Sequence, residues 1–118
     1  MNAKKKILVI DDDPVLVKYI VSLFSRSGYD TCQAKNGKEG FEVLQNEKPD
    51  LITLDLQMDE EWGPRFYRKL SQSPEFADTP VIVISGLAGK HAIKKAVAFL
   101  TKPFDPDKLL GIVKSTIG

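Results

Sequence analysis

Three consecutive carboxylates, Asp11, Asp12 and Asp13, directly follow the apolar run Ile7 to Ile10 in the stretch ILVIDDDP. Like charges this close repel one another, and carboxylates beside an apolar interior also lose hydration. One interpretation is a polar turn after a buried strand. The other is a site to which a cation binds, because a bound cation would offset the crowded negative charge.

Three further apolar runs also lead into polar side chains that could do chemistry. Asp55 follows LITL, Ser85 follows VIVI, and Lys102 comes soon after AFL. Mg²⁺ binds carboxylate oxygens, usually one or two together with waters and phosphate. A carboxylate can attack phosphorus while the metal, an ammonium and a hydroxyl share the charge of the transferring group. If these side chains meet, the residue types therefore predict phosphoryl transfer.

The elements that must position these residues alternate between apolar runs of strand length and segments of helical period. Runs such as ILVI, LITL and VIVI are continuous, as is typical of strands buried on both faces. We therefore predict an α/β fold, in which a parallel sheet has helices on both sides and the site lies beyond the carboxyl ends of the strands. The predicted strands are Lys6 to Ile10, Tyr29 to Ala34, Asp50 to Leu54, a fourth that opens at Pro80 and has Val81 to Ile84 as its core, and Phe99 to Thr101.

Caps and breakers indicate the helices. Asp13-Pro14 and Asp105-Pro106 each combine an N-cap residue with proline at the first helical position. The first helix is expected to end at Gly28 and the second before Pro49. A third helix is predicted after a loop at Gln57 to Gly63, and a short helical piece around His91 to Val97.

The composition and net charge of the chain argue against several classes of function. The chain has 118 residues, of which 42% are apolar and 28% charged, as expected for one globular domain. A net charge of +1 argues against nucleic-acid binding. The single cysteine, Cys32, cannot form an internal disulfide, and the single histidine, His91, excludes a His-rich metal site. Since no signal peptide or membrane span is recognisable, we expect a cytoplasmic protein without membrane contact.

Four motifs in the right order resemble the receiver domains of two-component response regulators, over essentially the whole chain from Lys5 to about Ile117. They are ILVIDDDP, LITLDLQM, VIVIS and FLTKPF. The resemblance implies a flavodoxin-like, doubly wound fold with strand order 2-1-3-4-5. It also implies one receiver domain over residues 1–118, with no output domain in this chain.

The resemblance further implies that Asp55 accepts a phosphoryl group from a phosphohistidine of a sensor histidine kinase or phosphotransfer protein. Such a domain catalyses only its own phosphorylation and dephosphorylation, and the modification changes its binding to a downstream protein that the sequence does not name. The remaining roles implied are Mg²⁺ or Mn²⁺ binding by Asp11, Asp12, Asp55 and the backbone carbonyl of Gln57, phosphoryl contact and switching by Ser85, Lys102 and Phe99, and a cis peptide bond before Pro103.

The sequence departs from the family pattern in three places. Asp59 stands where these domains usually have proline, and Phe99 where tyrosine is frequent. The segment between Ser85 and Lys102 is shorter than usual by more than a helical turn, so a shortened or irregular fourth helix is expected. Since that helix contributes to the face that the resemblance associates with phosphorylation-dependent pairing, we expect a monomer.

Two alternatives from other classes remain open on the sequence. Asp11 to Val15 also fits DxDxV, which resembles haloacid-dehalogenase-type phosphatases, with Asp11 as nucleophile and Asp13 as general acid. Such an enzyme would leave Asp55 without a role, and the chain is too short for a cap domain. The other alternative is a receiver-like interaction module that signals by binding alone.

Overall fold

Five parallel strands form one sheet in the order β2-β1-β3-β4-β5, which confirms the predicted topology. The computed structural model describes residues 4–56, 62–86 and 96–118, except the side chains of 62–64. The strands are β1 (Lys6–Ile10), β2 (Asp30–Ala34), β3 (Leu51–Leu54), β4 (Val81–Ser85) and β5 (Ala98–Thr101). β1, β3 and β4 lie inside the sheet, which explains why their sequences are almost wholly apolar.

Four described helices cover both faces of the sheet: α1 (Pro14–Arg26), α2 (Gly37–Glu47), α3 (Trp62–Ser71) and α4 (Pro106–Ile117). α1 and α4 pack on one face, where Phe24 and Leu109 join a cluster with Ile7 and Ile82. α2 and α3 pack on the other, around Phe66. Alternate residues of each central strand thus point into two separate apolar clusters, and the helices hold the sheet between them. None of the described helices combines the length and the hydropathy that a membrane span requires.

The predicted helix signals act as expected. Asp13 caps α1 and Asp105 caps α4, each followed by proline at the helix start. After α1, Gly28 has a φ of 94°, and the amide of Tyr29 donates to the carbonyl of Phe24 at 3.1 Å. A side chain is disfavoured at that φ, so glycine suits this helix end.

The boundaries differ from the prediction in a few places. α3 already begins at Trp62, whereas Gly63 was assigned to the preceding loop. Pro64 is compatible with this earlier start because amides in the first helical turn have no intrahelical acceptor. Strand ends shift by one residue: three predicted first residues, Tyr29, Asp50 and Pro80, precede their strands, while Ser85 and Ala98 belong to theirs. Most of the helical piece predicted around His91 lies outside the described residues, and Ala96 and Val97 at its end are not helical.

Candidate functional site

The polar side chains singled out in the sequence meet at the carboxyl edge of the sheet. Asp11 directly follows β1 and Asp55 directly follows β3. The amide of Asp55 donates to the carbonyl of Ile10 at 3.0 Å, and the amide of Lys102 donates to the carbonyl of Ser85 at 2.9 Å. The backbone pairing of neighbouring strands therefore extends to the residues that carry the functional groups, which fixes where their side chains start.

Asp11, Asp12 and Asp55 form a carboxylate cluster, in which one oxygen from each lies within 4.8 Å of the others. Asp11 and Asp55 are 3% and 2% exposed, whereas Asp12 is exposed. A donor set made only of carboxylate oxygens, open to water on the Asp12 side, fits Mg²⁺ or Mn²⁺, which take hard oxygen ligands and retain waters.

Lys102 supplies the positive charge of this cluster. Its Nζ lies 2.9 Å from Oδ2 of Asp11 and 3.5 Å from Oδ2 of Asp55. Burial lowers the pKa of the Lys102 ammonium, but the hydrogen bond to Asp11 and the charges of Asp11 and Asp55 outweigh this, so the pKa is raised above its ordinary value. Lys102 therefore stays charged and partly balances two buried carboxylates.

Asp13 takes part through its backbone amide, which donates to Oδ1 of Asp11 at 2.9 Å. Its own carboxylate points to α1, where Oδ1 accepts from the amides of Val15 at 3.0 Å and Leu16 at 3.3 Å. This engagement confirms the N-cap role. It gives no support to the phosphatase alternative, which needs the Asp13 carboxyl as a general acid.

Three of the other predicted site residues lie in the described part of the chain: Ser85, Phe99 and Pro103. Ser85 is 2% exposed and ends β4, on the side of the sheet edge next to Lys102. Phe99 is partly buried against the cluster under α2 and α3. The Lys102–Pro103 peptide bond is cis, as expected. Gln57 lies outside the described residues, as does the acidic run Asp59 to Glu61.

An apolar surface that was not predicted from the sequence lies beside the site. A groove of about 410 Å³ is lined by Lys102 and by part of what we call the α1 patch, which consists of Val15, Leu16, Tyr19, Pro103 and Phe104. Val15 is 77% and Tyr19 43% exposed, and the Tyr19 and Phe104 rings are 6.3 Å apart. A signal was available, because Val15 and Tyr19 are four residues apart on α1 and off the face formed by Val17, Ile20 and Phe24.

The fold and the site together match one family. The response regulator receiver domain family matches residues 7–114, so the chain belongs to this family. Receiver domains are typically signalling domains rather than enzymes, and they generally bind Mg²⁺.

Individual relatives agree. Protein Rrf1 of Nitratidesulfovibrio vulgaris is 38% identical over 109 residues, which are 92% of this chain and 79% of Rrf1. The polar-differentiation response regulator DivK of Brucella anthropi is 27% identical over 97% of both chains. The receiver domain of the Francisella response regulator 1452 superposes with a TM-score of 0.85 at 30% identity, over 96% of both chains.

Proposed function

We propose that the chain is a phosphorylation-dependent signalling switch in which Asp55 accepts a phosphoryl group from the phosphohistidine of a histidine kinase or phosphotransfer protein. One observation carries the proposal: the buried Asp55 carboxylate is part of the carboxylate cluster that suits Mg²⁺, and its Oδ2 lies 3.5 Å from the Nζ of Lys102. A nucleophile with cationic charge on both sides is the arrangement that phosphoryl transfer requires.

In the reaction, a carboxylate oxygen of Asp55 attacks phosphorus and forms the acyl phosphate bond. The P–N bond of the donor breaks, and its electron pair returns to the imidazole nitrogen. Asp11, Asp12 and Asp55 would hold Mg²⁺, which when bound supplies charge stabilisation for the phosphoryl oxygens. Lys102 holds its ammonium beside the same phosphoryl oxygens. In dephosphorylation, water attacks phosphorus, the acyl phosphate bond breaks, and the Asp55 carboxylate leaves.

The conformational response to phosphorylation should involve Ser85, Lys102 and Phe99. Ser85 and Lys102 sit at the adjacent ends of β4 and β5, joined by a backbone hydrogen bond. Phe99 pairs in register with Val83 on β4, three residues before Lys102. A phosphoryl group that draws the hydroxyl and the ammonium toward Asp55 therefore acts on one hydrogen-bonded unit, whose shift a downstream protein reads.

The phosphodonor protein should bind at the α1 patch. The patch adjoins Lys102 and presents exposed apolar side chains, which seldom cluster on a surface without a contact role. Tyr19→Ala should slow phosphotransfer from a donor protein while leaving phosphorylation by acetyl phosphate unchanged. Partly buried Tyr67 packs against the cluster under α3, on the opposite face of the sheet from α1, so Tyr67→Ala serves as the tyrosine control for a substitution away from the patch.

The decisive experiment maps the modified residue. The protein is incubated with acetyl phosphate in Mg²⁺ or in EDTA, the acyl phosphate is trapped by borohydride reduction, and the peptides are analysed by mass spectrometry. We expect modification at Asp55 in Mg²⁺ only, and none in Asp55→Asn.

Two further variants test the metal ligand and provide a control, and two other outcomes would support the alternative functions. Asp12→Asn should lose most of the modification because a metal ligand is changed, while Asp78→Asn, an exposed acid before β4 at the opposite edge, should behave as wild type. Modification at Asp11 would support the phosphatase alternative. No modification of any residue, including with a phosphohistidine donor, would support the module that signals by binding alone.

A further inference from the structure

Both oxygens of the Asp11 carboxylate are held by other groups of the chain. Oδ2 accepts from the Lys102 ammonium at 2.9 Å, and Oδ1 accepts from the backbone amide of Asp13 at 2.9 Å. Since Asp11 is only 3% exposed, water contributes little to its orientation. The direction in which Asp11 presents its oxygens therefore depends on where the amide of Asp13 lies.

The position of that amide depends in turn on the side chain of Asp13. Its Oδ1 accepts from the amides of Val15 and Leu16, which ties the backbone of Asp13 to the first turn of α1. Pro14 has no amide proton, so the cap uses the first donors that the helix offers. The same residue thus binds a helix end through its carboxylate and a candidate metal ligand through its amide.

We propose that Asp13 is a positioning residue for the metal site: by capping α1 it fixes the turn that orients Asp11. The inference rests on the proposed function, since it concerns the Mg²⁺ that the carboxylate cluster would hold. Asp13 itself is not in that cluster, and its negative charge lies against the positive end of α1. Its effect on metal binding is therefore geometric, exerted through Asp11.

A geometric effect and a charge effect predict different results for two substitutions. Asparagine caps helices about as well as aspartate, whereas alanine does not cap. Asp13→Asn removes the charge and keeps the cap, while Asp13→Ala removes both. If Asp13 acts by position, the asparagine variant retains metal affinity and the alanine variant loses it. If Asp13 acts by charge, both lose it equally.

The chain also offers a matched control for general loss of stability. Asp105 caps α4, which also begins with a proline, Pro106. Oδ1 of Asp105 accepts from the amide of Asp107 at 2.9 Å, one hydrogen bond where Asp13 has two. Its backbone amide has no hydrogen bond to the carboxylate cluster among those seen in the described residues. Asp105→Ala should therefore destabilise the protein about as much as Asp13→Ala, without changing how it binds Mg²⁺.

The experiment measures the dissociation constants of Mg²⁺ and Mn²⁺ by isothermal titration calorimetry, together with urea unfolding in EDTA and hydrogen exchange of the amide at position 13. We expect Asp13→Ala to weaken metal binding about tenfold, as for outer-shell partners of metal ligands. We also expect that amide to exchange faster in Asp13→Ala. Asp13→Asn should stay within about twofold of wild type in metal affinity.

Three results would overturn the inference: unchanged metal affinity in Asp13→Ala, equal losses in the alanine and asparagine variants, or an equal loss in Asp105→Ala. All three presuppose that wild type binds the metals, so they leave the proposed function standing. A wild-type protein that binds neither ion would overturn the metal dependence of the proposed function and this inference with it.

Discussion

Lys102→Met should destabilise the metal-free protein substantially, because it removes the cation between two buried carboxylates and keeps a side chain of similar length. At 2.9 Å and 3.5 Å, each attraction is about 5 kcal/mol at an effective dielectric constant of about 20. Desolvation of the ammonium offsets much of this. Breaking a buried pair typically costs about 3–5 kcal/mol, and since the Lys102 side chain is 24% exposed we expect about 3 kcal/mol.

Saturating Mg²⁺ should recover much of that loss, because the metal and the lysine neutralise the same carboxylates. Urea unfolding at pH 7 in EDTA and in MgCl₂ measures both effects. The control is Lys48→Met, which breaks an equally short pair with Glu75 at 2.8 Å, but with both side chains more than half exposed, and should change little. The reasoning is wrong if Lys102→Met equals wild type in EDTA, or if its deficit is the same with and without Mg²⁺.

Three further predictions concern packing, the thiol and association. A Cβ at Gly40 would lie 2.7 Å from Cδ1 of the buried Ile10, so Gly40→Ala should lower the free energy of unfolding by about 1–2 kcal/mol in urea titrations; Gly111→Ala, with nothing within 4 Å, should raise it by about 0.5–1 kcal/mol. Burial raises the pKa of the Cys32 thiol to about 11, so this group does not affect stability below its ordinary pKa. Between that ordinary pKa and about 11 the free energy of unfolding should fall as the pH rises, by no more than about 2 kcal/mol after allowance for solvent screening, and Cys32→Ala should lack this fall. Sedimentation with and without beryllofluoride should show a monomer in both states, and an activated dimer would contradict the expectation drawn from the short segment after β4.

Most of the fold could be predicted because the strong signals are local. Continuous apolar runs mark β1, β3 and β4 as buried on both faces, and Asp-Pro marks the starts of α1 and α4. The start of α3 was missed because Gly63 and Pro64 are breakers inside a helix but are tolerated in its first turn. The edge strand β2, DTCQA, has no apolar run, so its start depends on pairing with β1 rather than on its own sequence.

The candidate site could be predicted only as a list of residue types at strand ends. Parallel topology brings the ends of β1, β3, β4 and β5 to one edge, so the meeting of Asp11, Asp55 and Lys102 follows from the strand assignments. The sequence does not show that Lys102 is shared between two carboxylates or that the amide of Asp13 binds Asp11, because these contacts depend on differences of well under an ångström in atomic position. The α1 patch was missed because single exposed apolar residues are common on protein surfaces, and only the four-residue spacing of Val15 and Tyr19 on α1 distinguishes this one.

The ion pairs of the unmodified site also indicate how phosphorylation changes it. Lys102 lies closer to Asp11 than to Asp55, at 2.9 Å against 3.5 Å. A phosphoryl group on Asp55 replaces one negative charge with up to about two and adds strong acceptor oxygens. The larger charge should draw the ammonium away from Asp11, and because the amide of Lys102 donates to Ser85, the ends of β4 and β5 should move together.

This displacement can be measured in the backbone amides of Ser85, Phe99 and Lys102 by NMR, with and without beryllofluoride. In wild type we expect chemical-shift changes that extend from Ser85 along β5 to Phe99. Lys102→Met should still bind the mimic at Asp55, since the metal ligands are intact, but the changes at Phe99 should be lost because no ammonium links the phosphoryl group to β5. Equal shift changes at Phe99 in both proteins would show that β5 responds without Lys102, and the switch would then have to act through Ser85 and β4 alone.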